Sequence, residues 1–304
     1  MLNFKPITIQ DKEAITAYTR SSSYLNCDFA FSNMCSWRFL YDSEFAIDED
    51  FLFIRFYIKQ YRVYMCPIGN GDPKRAFEKI EADAAANDYP LRIFGVIPAG
   101  KEMLETLFPG NFKFTASRNY FDYIYLREDL SALKGKKYQS KRNHINKFKK
   151  NNAYTYLPIT PDMVPECLQL EQKWMLSNHT EQDADSLKFE KRSMVFALNN
   201  FDALDLTGGA IFVANEMVAF TYGSPINPFT FGIHVEKANI QFEGIFSVIN
   251  QEFASRLSTQ YLYINREEDL GLPGLRQSKL SYHPAILLEK NMAIQSRGVM
   301  LTSI

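Results

Sequence analysis

Cysteine and histidine are scarce in this sequence, with four of each among 304 residues. The cysteines lie far apart without Cys-x-x-Cys spacing, which excludes a zinc ribbon or a small disulfide scaffold and is typical of buried thiols in a reducing cytosol. The histidines lack His-x-His or His-x-x-x-His spacing, so we expect no metal site. These residues are Cys27, Cys35, Cys66 and Cys167, and His144, His179, His234 and His283.

Net charge is also small, at −1, which excludes a global field that would draw the chain to nucleic acid or anionic lipid. Any site for a polyanion must therefore be a local patch. Because no apolar run reaches about 18 residues and the N-terminus lacks the apolar core of a signal peptide, we expect no membrane span and a cytoplasmic location. Without a Gly-x-Ser-x-Gly motif, a serine hydrolase of the α/β type is not expected.

Aromatic residues, in contrast, are abundant, with 25 Phe and 17 Tyr. The length favours two domains. The order of predicted elements, in which strands, helices and antiparallel meanders alternate, indicates an α/β fold with mixed sheets. Since this order recurs, we predict two similarly built lobes, over residues 1–130 and 131–304.

Residue periodicity locates the elements of both lobes. In the first lobe it predicts a helix over 6–20, a hairpin of strands 51–58 and 62–66, a helix over 74–87, a strand at 91–96, a helix over 99–108 and a hairpin of strands 112–117 and 120–126. In the second it predicts strand 154–157, helices 162–177 and 185–199, strands 208–213, 218–223 and 230–235, helix 243–257, strand 261–265, helix 274–282 and strand 285–290.

A basic segment opens the second lobe. Residues 134–150 contain eight Lys or Arg and no acidic residue. Tyr138, Ile145 and Phe148 fall on one face of a helix, which predicts an amphipathic basic helix whose Lys141 and Arg142 bind phosphates. The alternative is a solvated linker helix whose lysines serve only solubility.

Polar side chains crowd the loop over residues 265–284. It follows the strand at Tyr261–Ile264 and is bent by Gly271, Pro273 and Gly274. Ligands of open α/β sheets bind where strands end, so this loop is a candidate site. Ordinary turn residues with a solvated rim would give a similar pattern.

A second candidate for anion binding lies at residues 241–246. Gln241, Glu243 and Gly244 stand at the predicted start of a helix, where free backbone N–H groups favour a phosphate or carboxylate. A glycine at a helix start is also a common packing device, so this signal is weak alone.

These motifs resemble those of known families. The second lobe, with Gln241 and Gly244 at a helix start, is similar to the second half of the GNAT acyltransferase fold, whose Gln/Arg-x-x-Gly-x-Gly/Ala loop binds the pyrophosphate of acyl-CoA. Phe246 replaces the last small residue, and we therefore expect weak binding of acetyl-CoA.

The basic helix containing Lys141-Arg142, paired with the pattern Asp269-x-Gly271-x-x-Gly274-Leu275-Arg276-x-x-Lys279, more closely resembles the catalytic portion of lysylphosphatidylglycerol synthases and the related Fem-type aminoacyl transferases. The resemblance implies two tandem GNAT-like lobes that use aminoacyl-tRNA. It implies no tightly bound cofactor, with aminoacyl-tRNA or acyl-CoA as co-substrate.

Acyl transfer needs a base for the acceptor, donors for the negative charge and an acid for the leaving group. Candidate bases are Glu243, Glu267 and Asp269. Arg276, facing Asp269 across the bend, would orient the reacting groups, and Tyr282 stands where some GNAT enzymes carry a general acid. Candidate substrate-binding residues are Lys141, Arg142, Gln241, Gly244, Asn265, Arg266 and Lys279.

The predicted function is transfer of an aminoacyl group from aminoacyl-tRNA, bound through the basic helix over 134–150, to an amine or hydroxyl. The acceptor would be a small molecule, a peptide or a lipid headgroup. Two alternatives are an acyl-CoA-dependent N-acyltransferase and a catalytically silent module that binds a ligand or RNA.

Overall fold

A computed structural model describes residues 2–87, 89–178 and 184–296. The first part of the chain forms β1 (Lys5–Pro6), α1 (Lys12–Thr19), α2 (Phe31–Ser36), α3 (Arg38–Tyr41), β2 (Glu44–Asp48), β3 (Phe51–Ile58), β4 (Tyr61–Met65), β5 (Ile68–Gly69), α4 (Pro73–Ala85), β6 (Arg92–Val96), α5 (Pro98–Leu107), β7 (Phe112–Ala116), β8 (Asp122–Leu126) and α6 (Arg127–Ala132). The second part forms α7 (Gln139–Asn151), β9 (Tyr154–Pro158), α8 (Val164–Asn178), α9 (Ala184–Asn199), β10 (Thr207–Val213), β11 (Glu216–Asn227), β12 (Thr230–Ala238), α10 (Ile245–Arg256), β13 (Tyr263–Asn265), α11 (Pro273–Leu280), β14 (Ile286–Leu288) and β15 (Asn291–Gln295).

Local sequence signals explain several of these boundaries. The Asp72 side chain accepts a hydrogen bond from the Lys74 amide at 2.9 Å, and Pro73 opens α4, as expected for a capped helix start. The predicted hairpin of β3 and β4 is confirmed. The sequence prediction missed β2 and began the first helix too early, because the chain forms a short 3-10 turn at Ile9–Asp11 before α1.

The strands form two mixed sheets. The first has the order β1-β2-β3-β4-β6-β15-β7, with β5 beside β3, and the second has the order β14-β8-β13-β12-β11-β10-β9. Each contains a parallel pair, β4 with β6 and β12 with β13, among antiparallel neighbours. The predicted mixed α/β class is therefore confirmed.

The predicted hairpin over 112–117 and 120–126 is wrong. β7 pairs with β15 in the first sheet, whereas β8 pairs with β13 and β14 in the second. The chain passes from one sheet to the other through a 3-10 turn at Arg118–Tyr120. Alternating aromatic residues identify both strands but carry no information about their partners.

The last strand makes the reverse crossing. The predicted single strand over 285–290 is in fact β14 in the second sheet, and β15 then inserts between β6 and β7 of the first. If the chain is divided after residue 130, β8 from the first part lies in the second sheet and β15 from the second part lies in the first sheet.

The two lobes share a hydrophobic core. One cluster of buried side chains joins Phe29 and Leu52 of the first lobe to Leu170 and Phe220 of the second. Apolar burial is the main stabilising term in folding, so this shared cluster fixes how the lobes meet. Among the described helices, none is both long and apolar enough to cross a bilayer.

Candidate active site at the end of a parallel strand pair

The parallel strands β12 and β13 pair from Thr230 opposite Tyr263 to Gly232 opposite Asn265, and there the pairing ends. Beyond this point, two polar pairs connect β12 to the segment that follows β13. They are His234 with Glu267 and Glu236 with Arg266. We call these four residues the strand-end site. It lies at the carboxyl ends of parallel strands, the usual ligand position in α/β folds.

The first pair is part of a continuous hydrogen-bonded chain. His234 Nδ1 lies 2.8 Å from Glu267 Oε1, which also accepts from Asn33 Nδ2 at 2.8 Å. His234 Nε2 lies 2.8 Å from the Ser224 hydroxyl and 2.9 Å from the Ser32 hydroxyl. The first lobe therefore supplies Ser32 and Asn33, both on α2, to a network built on the second.

The Glu267 carboxylate indicates which ring nitrogen of a neutral His234 carries the hydrogen. Burial disfavours the ionised carboxyl, but hydrogen bonds from His234 and Asn33 outweigh burial and lower the pKa of Glu267. Because an ionised carboxylate only accepts, the hydrogen of a neutral His234 is assigned to Nδ1. Nε2 is then the basic nitrogen, facing two hydroxyls.

The second pair is more deeply enclosed. Arg266 Nη2 donates to Glu236 Oε1 at 2.9 Å, and the Arg266 side chain is only 9% exposed. The guanidinium also lies 5.0 Å from the Tyr282 ring centre, and Lys141 Nζ lies 3.9 Å from the same ring. Tyr282 is thus a shared aromatic platform for two cations. Burial raises its pKa, and its hydroxyl contacts Ser247 at 3.3 Å.

Two other predicted binding residues hold the loop that carries the strand-end site. Asn265 donates to Asp122 at 2.7 Å and accepts from the Glu267 amide at 2.6 Å. Lys279 Nζ donates to the carbonyl oxygens of Arg266, at 2.5 Å, and Glu268. Burial and repulsion from Arg266 lower the pKa of Lys279.

Asp269 and Arg276 form a two-point ion pair, with both nitrogen–oxygen distances at 2.8 Å. The Asp269 carboxylate is fully buried, and it also accepts from Tyr123 at 2.6 Å and Arg118 at 3.1 Å. The hydrogen bond from Arg276 is the largest influence on Asp269 and holds the pKa of its carboxyl well below the usual range. These contacts occupy the carboxylate with protein partners, and the catalytic role predicted for Asp269 and Arg276 stays a prediction.

The predicted anion cradle at the start of α10 is covered. Gly244 has a φ of +87°, and a Cβ there would lie 2.4 Å from the His144 carbonyl oxygen of α7. Gln241 and Glu243 are exposed beside it, and Glu243 pairs with Lys147 at 2.5 Å. The glycine thus permits close packing of α7 against α10, and sequence alone could not separate this packing from anion binding.

Gly244→Ala is expected to destabilise the fold by about 1–3 kcal/mol from the left-handed backbone alone, with further loss because His144 must move. Gly274→Ala is the matched control, since a Cβ there meets nothing within 4 Å. Denaturant unfolding of both variants tests this. Equal stabilities for the two variants would contradict close packing at Gly244.

The basic helix α7 is more neutralised than the sequence indicated. The basic segment over 134–150 contains no acidic residue, but three of its lysines pair with carboxylates from outside it. These pairs are Lys137 with Asp129 of α6, Lys147 with Glu243 just before α10, and Lys149 with Glu252 of α10. Arg142 donates to the carbonyl oxygen of Gly135 at 2.7 Å and so holds the preceding turn. Lys141 is the lysine that turns towards the strand-end site.

A second buried charge cluster joins residues distant in sequence. Lys290 Nζ lies 2.7 Å from Asp122 Oδ1 and 3.0 Å from Asp28 Oδ2, and it also contacts Glu268. Cys27, Asp122 and Glu268 place potential ligand atoms within 4.8 Å of one another, a spacing compatible with a metal. The Lys290 ammonium already serves as the shared counter-ion of these carboxyl groups, and we assign the cluster a structural role.

Sequence reasoning missed several residues of the site and its hydrogen-bond network: Ser32, Asn33, Ser224, His234 and Glu236. One signal was available, because His234 and Glu236 alternate along β12 and so share a face of the strand. Nothing in the sequence indicated that α2 of the first lobe would meet that face.

Comparisons with known proteins agree with this architecture. The sequence model of the family described as "Phosphatidylglycerol lysyltransferase, C-terminal" matches residues 19–294. A conserved protein of unknown function from Bacteroides thetaiotaomicron is 50% identical, with 97% of this chain and 100% of that chain covered and a TM-score of 0.95. A search of curated proteins finds no significant match.

More distant structures share the fold. L-PGS from Bacillus licheniformis has a TM-score of 0.65 at 15% identity, with 95% of this chain and 93% of that chain covered. FemX has a TM-score of 0.58 at 9% identity, with 95% and 97% covered. The predicted pair of tandem GNAT-like lobes is confirmed.

Proposed function

Because the chain belongs to the family of phosphatidylglycerol lysyltransferase C-terminal regions and has the GNAT-like transferase fold, we propose that it transfers an aminoacyl group from aminoacyl-tRNA to an amine or hydroxyl acceptor. The acceptor class is a small molecule, a peptide or a lipid headgroup. The cytoplasm is the proposed location.

The position of α7 is the observation that carries the choice of donor. This helix covers Gly244 at the start of α10, the place where GNAT enzymes of the acyl-CoA type would seat a pyrophosphate. It also directs Lys141 to the Tyr282 platform beside Arg266. A helix that closes the CoA cradle and brings a cation to the strand-end site favours an RNA-linked donor over CoA. Phe246, the residue behind the predicted weak binding of acetyl-CoA, is exposed near the start of α10.

His234 is the proposed proton carrier. The acceptor amine or hydroxyl attacks the ester carbonyl of the donor, and His234 Nε2 takes the acceptor proton through the Ser224 hydroxyl. Glu267 stabilises the resulting imidazolium through Nδ1. The bond from the carbonyl carbon to the ribose oxygen then breaks, and the leaving oxygen recovers the proton from His234. The products are the acylated acceptor and an RNA with a free ribose hydroxyl, and His234 is neutral again.

Aminoacyl-tRNA with a labelled amino acid, incubated with hydroxylamine as a surrogate amine, is expected to yield labelled hydroxamate faster with the protein than without it. Acetyl-CoA is expected to give no heat of binding at tens of micromolar in calorimetry. Low-micromolar binding of acetyl-CoA would favour the acyl-CoA alternative. Retention of the RNA without faster hydroxamate formation would identify a silent binding module.

A further inference from the structure

A buried ammonium group joins α8 and α9 to the second sheet. The side chain of Lys237, on β12, is 5% exposed, and its Nζ lies 2.7 Å from Glu190 Oε1 of α9 and 3.4 Å from Glu171 Oε2 of α8. The Trp174 ring covers the same ammonium, with its centre 3.6 Å from Nζ. We call these four residues the Lys237 cluster. One cation is shared by two carboxyl groups beneath an aromatic ring.

The two carboxyl groups of the Lys237 cluster have unequal surroundings. Glu190 is partly exposed and makes the closer contact with the ammonium. Glu171 is fully buried, and within the described parts of the chain neither of its carboxyl oxygens has a hydrogen-bond partner. Burying an ionised carboxylate without hydrogen bonds is strongly unfavourable, and a neutral carboxyl avoids most of that cost. Glu190 is therefore the counter-ion of Lys237, and Glu171 is the group that gains by binding a proton.

The neighbouring elements do not reverse this preference. Burial is the main influence on Glu171 and raises the pKa of its carboxyl. Lys237 and, more weakly, Lys191 of α9 oppose the rise, and Glu190 adds to it. The other titratable or charged groups on the elements around the contact are Cys167 of α8, Tyr222 of β11, the exposed pair of Lys173 with Glu216, and the exposed Asp162 before α8.

We propose that the contact between α8 and β12 is a pH-dependent device in which Glu171 is the proton-binding group. With a proton bound, Glu171 lies neutral beside the Lys237–Glu190 ion pair, and the cluster has no net charge. When the proton leaves, the packed contact contains one uncompensated negative charge, and the attachment of α8 to β12 weakens. This role of Glu171 is independent of aminoacyl transfer.

The contact lies close to the strand-end site. Tyr222 of β11 is paired with Val235, the residue that follows His234 on β12. Burial raises the pKa of Tyr222, and negative charges that include Glu267 and Glu171 raise it further. The Tyr222 hydroxyl is thus within electrostatic reach of both carboxyl groups. A weaker attachment of α8 would change the packing next to the strand-end site.

The stabilisation that Glu171 contributes should decrease as pH rises. Because the pKa of its carboxyl is raised in the folded state, the contribution is fully present below the unfolded pKa and is lost as pH rises through the folded one. Glu171→Gln copies the neutral carboxyl and removes this dependence. The ratio of the unfolding constant of the wild type to that of Glu171→Gln should therefore rise by about fivefold or more from pH 5 to pH 8.

Urea unfolding of the full chain at several pH values measures these constants. Glu166→Gln is the matched control, because Glu166 is exposed on the same helix and its effect should vary by less than about twofold over this range. Glu190→Gln removes the counter-ion and leaves Glu171 to balance Lys237. In that background, adding Glu171→Gln should destabilise the protein at pH 8, the opposite of its effect in the wild type.

Hydrogen exchange of the wild type gives a second measurement that needs no variant. The free energy of opening for amides of α8 should be lower at pH 8 than at pH 6, whereas that of α4, which packs on the first sheet, should not change. Equal pH dependence in the wild type and Glu171→Gln, or a less stable Glu171→Gln at pH 8, would overturn the proposal and identify Glu171 as an ionised counter-ion. If Glu171→Gln does not fold, unchanged exchange in α8 would overturn it.

Discussion

Glu267→Gln is expected to lower the rate of aminoacyl transfer by about 10²–10⁴-fold, the usual contribution of a positioned acid–base pair. The amide can still occupy the place of the carboxylate, but it cannot stabilise a protonated His234 across the 2.8 Å contact. Measured with saturating aminoacyl-tRNA, the loss should fall on kcat, with KM for the tRNA nearly unchanged. The melting temperature should change little, because the substitution preserves side-chain shape.

Glu243→Gln tests whether Glu267 or Glu243 takes part in proton transfer. Both glutamates are candidate bases by sequence, but Glu243 is 59% exposed and paired with Lys147, whereas Glu267 is 23% exposed and bound to His234 and Asn33. We expect Glu243→Gln to transfer at the wild-type rate. A large loss in that variant, with full activity in Glu267→Gln, would move the catalytic base to the start of α10.

Asp269→Ala is expected to destabilise the protein by about 3 kcal/mol, in the range found when one partner of a buried ion pair is removed. Its carboxylate is fully buried and holds Arg276, Tyr123 and Arg118 together, so its loss leaves two arginines facing each other. Asp185→Ala is the control, since Asp185 is 83% exposed in its pair with Lys188 and should change stability by less than about 0.5 kcal/mol. Urea unfolding at pH 7 measures both.

The stabilisation from Asp269 should also depend on pH. The pKa of this carboxyl is held below its unfolded value, so the contribution is fully present above the unfolded pKa and is lost as pH falls towards the folded one. The difference in the free energy of unfolding between the wild type and Asp269→Ala should therefore become smaller in acid. A tenfold loss of transfer at unchanged stability would instead establish the catalytic role that the sequence predicted for Asp269.

The strand-end site shows how far sequence reasoning reached. Lys141, Asn265, Arg266, Glu267, Lys279 and Tyr282 were all selected from motifs, and the structure places them around the carboxyl end of one parallel strand pair. The sequence did not show which of them play structural roles. In the structure, Asn265 and Lys279 hydrogen-bond to backbone groups, whereas Glu267 contacts the His234 ring. Which partner a polar group finds depends on chain segments more than 200 residues away, such as Asn33 for Glu267.

The sequence by itself determined the local elements and the class of fold. Periodicity and capping produce α4, the β3–β4 hairpin and most helices of the second lobe because these depend on neighbours within one turn or one hairpin. Only the tertiary structure decided that β8 and β15 exchange sheets, that α7 covers Gly244, and that α2 delivers Ser32 and Asn33 to His234. Each of these outcomes depends on which surfaces bury each other, and an alternating or glycine-containing pattern is compatible with many partners until the whole core forms.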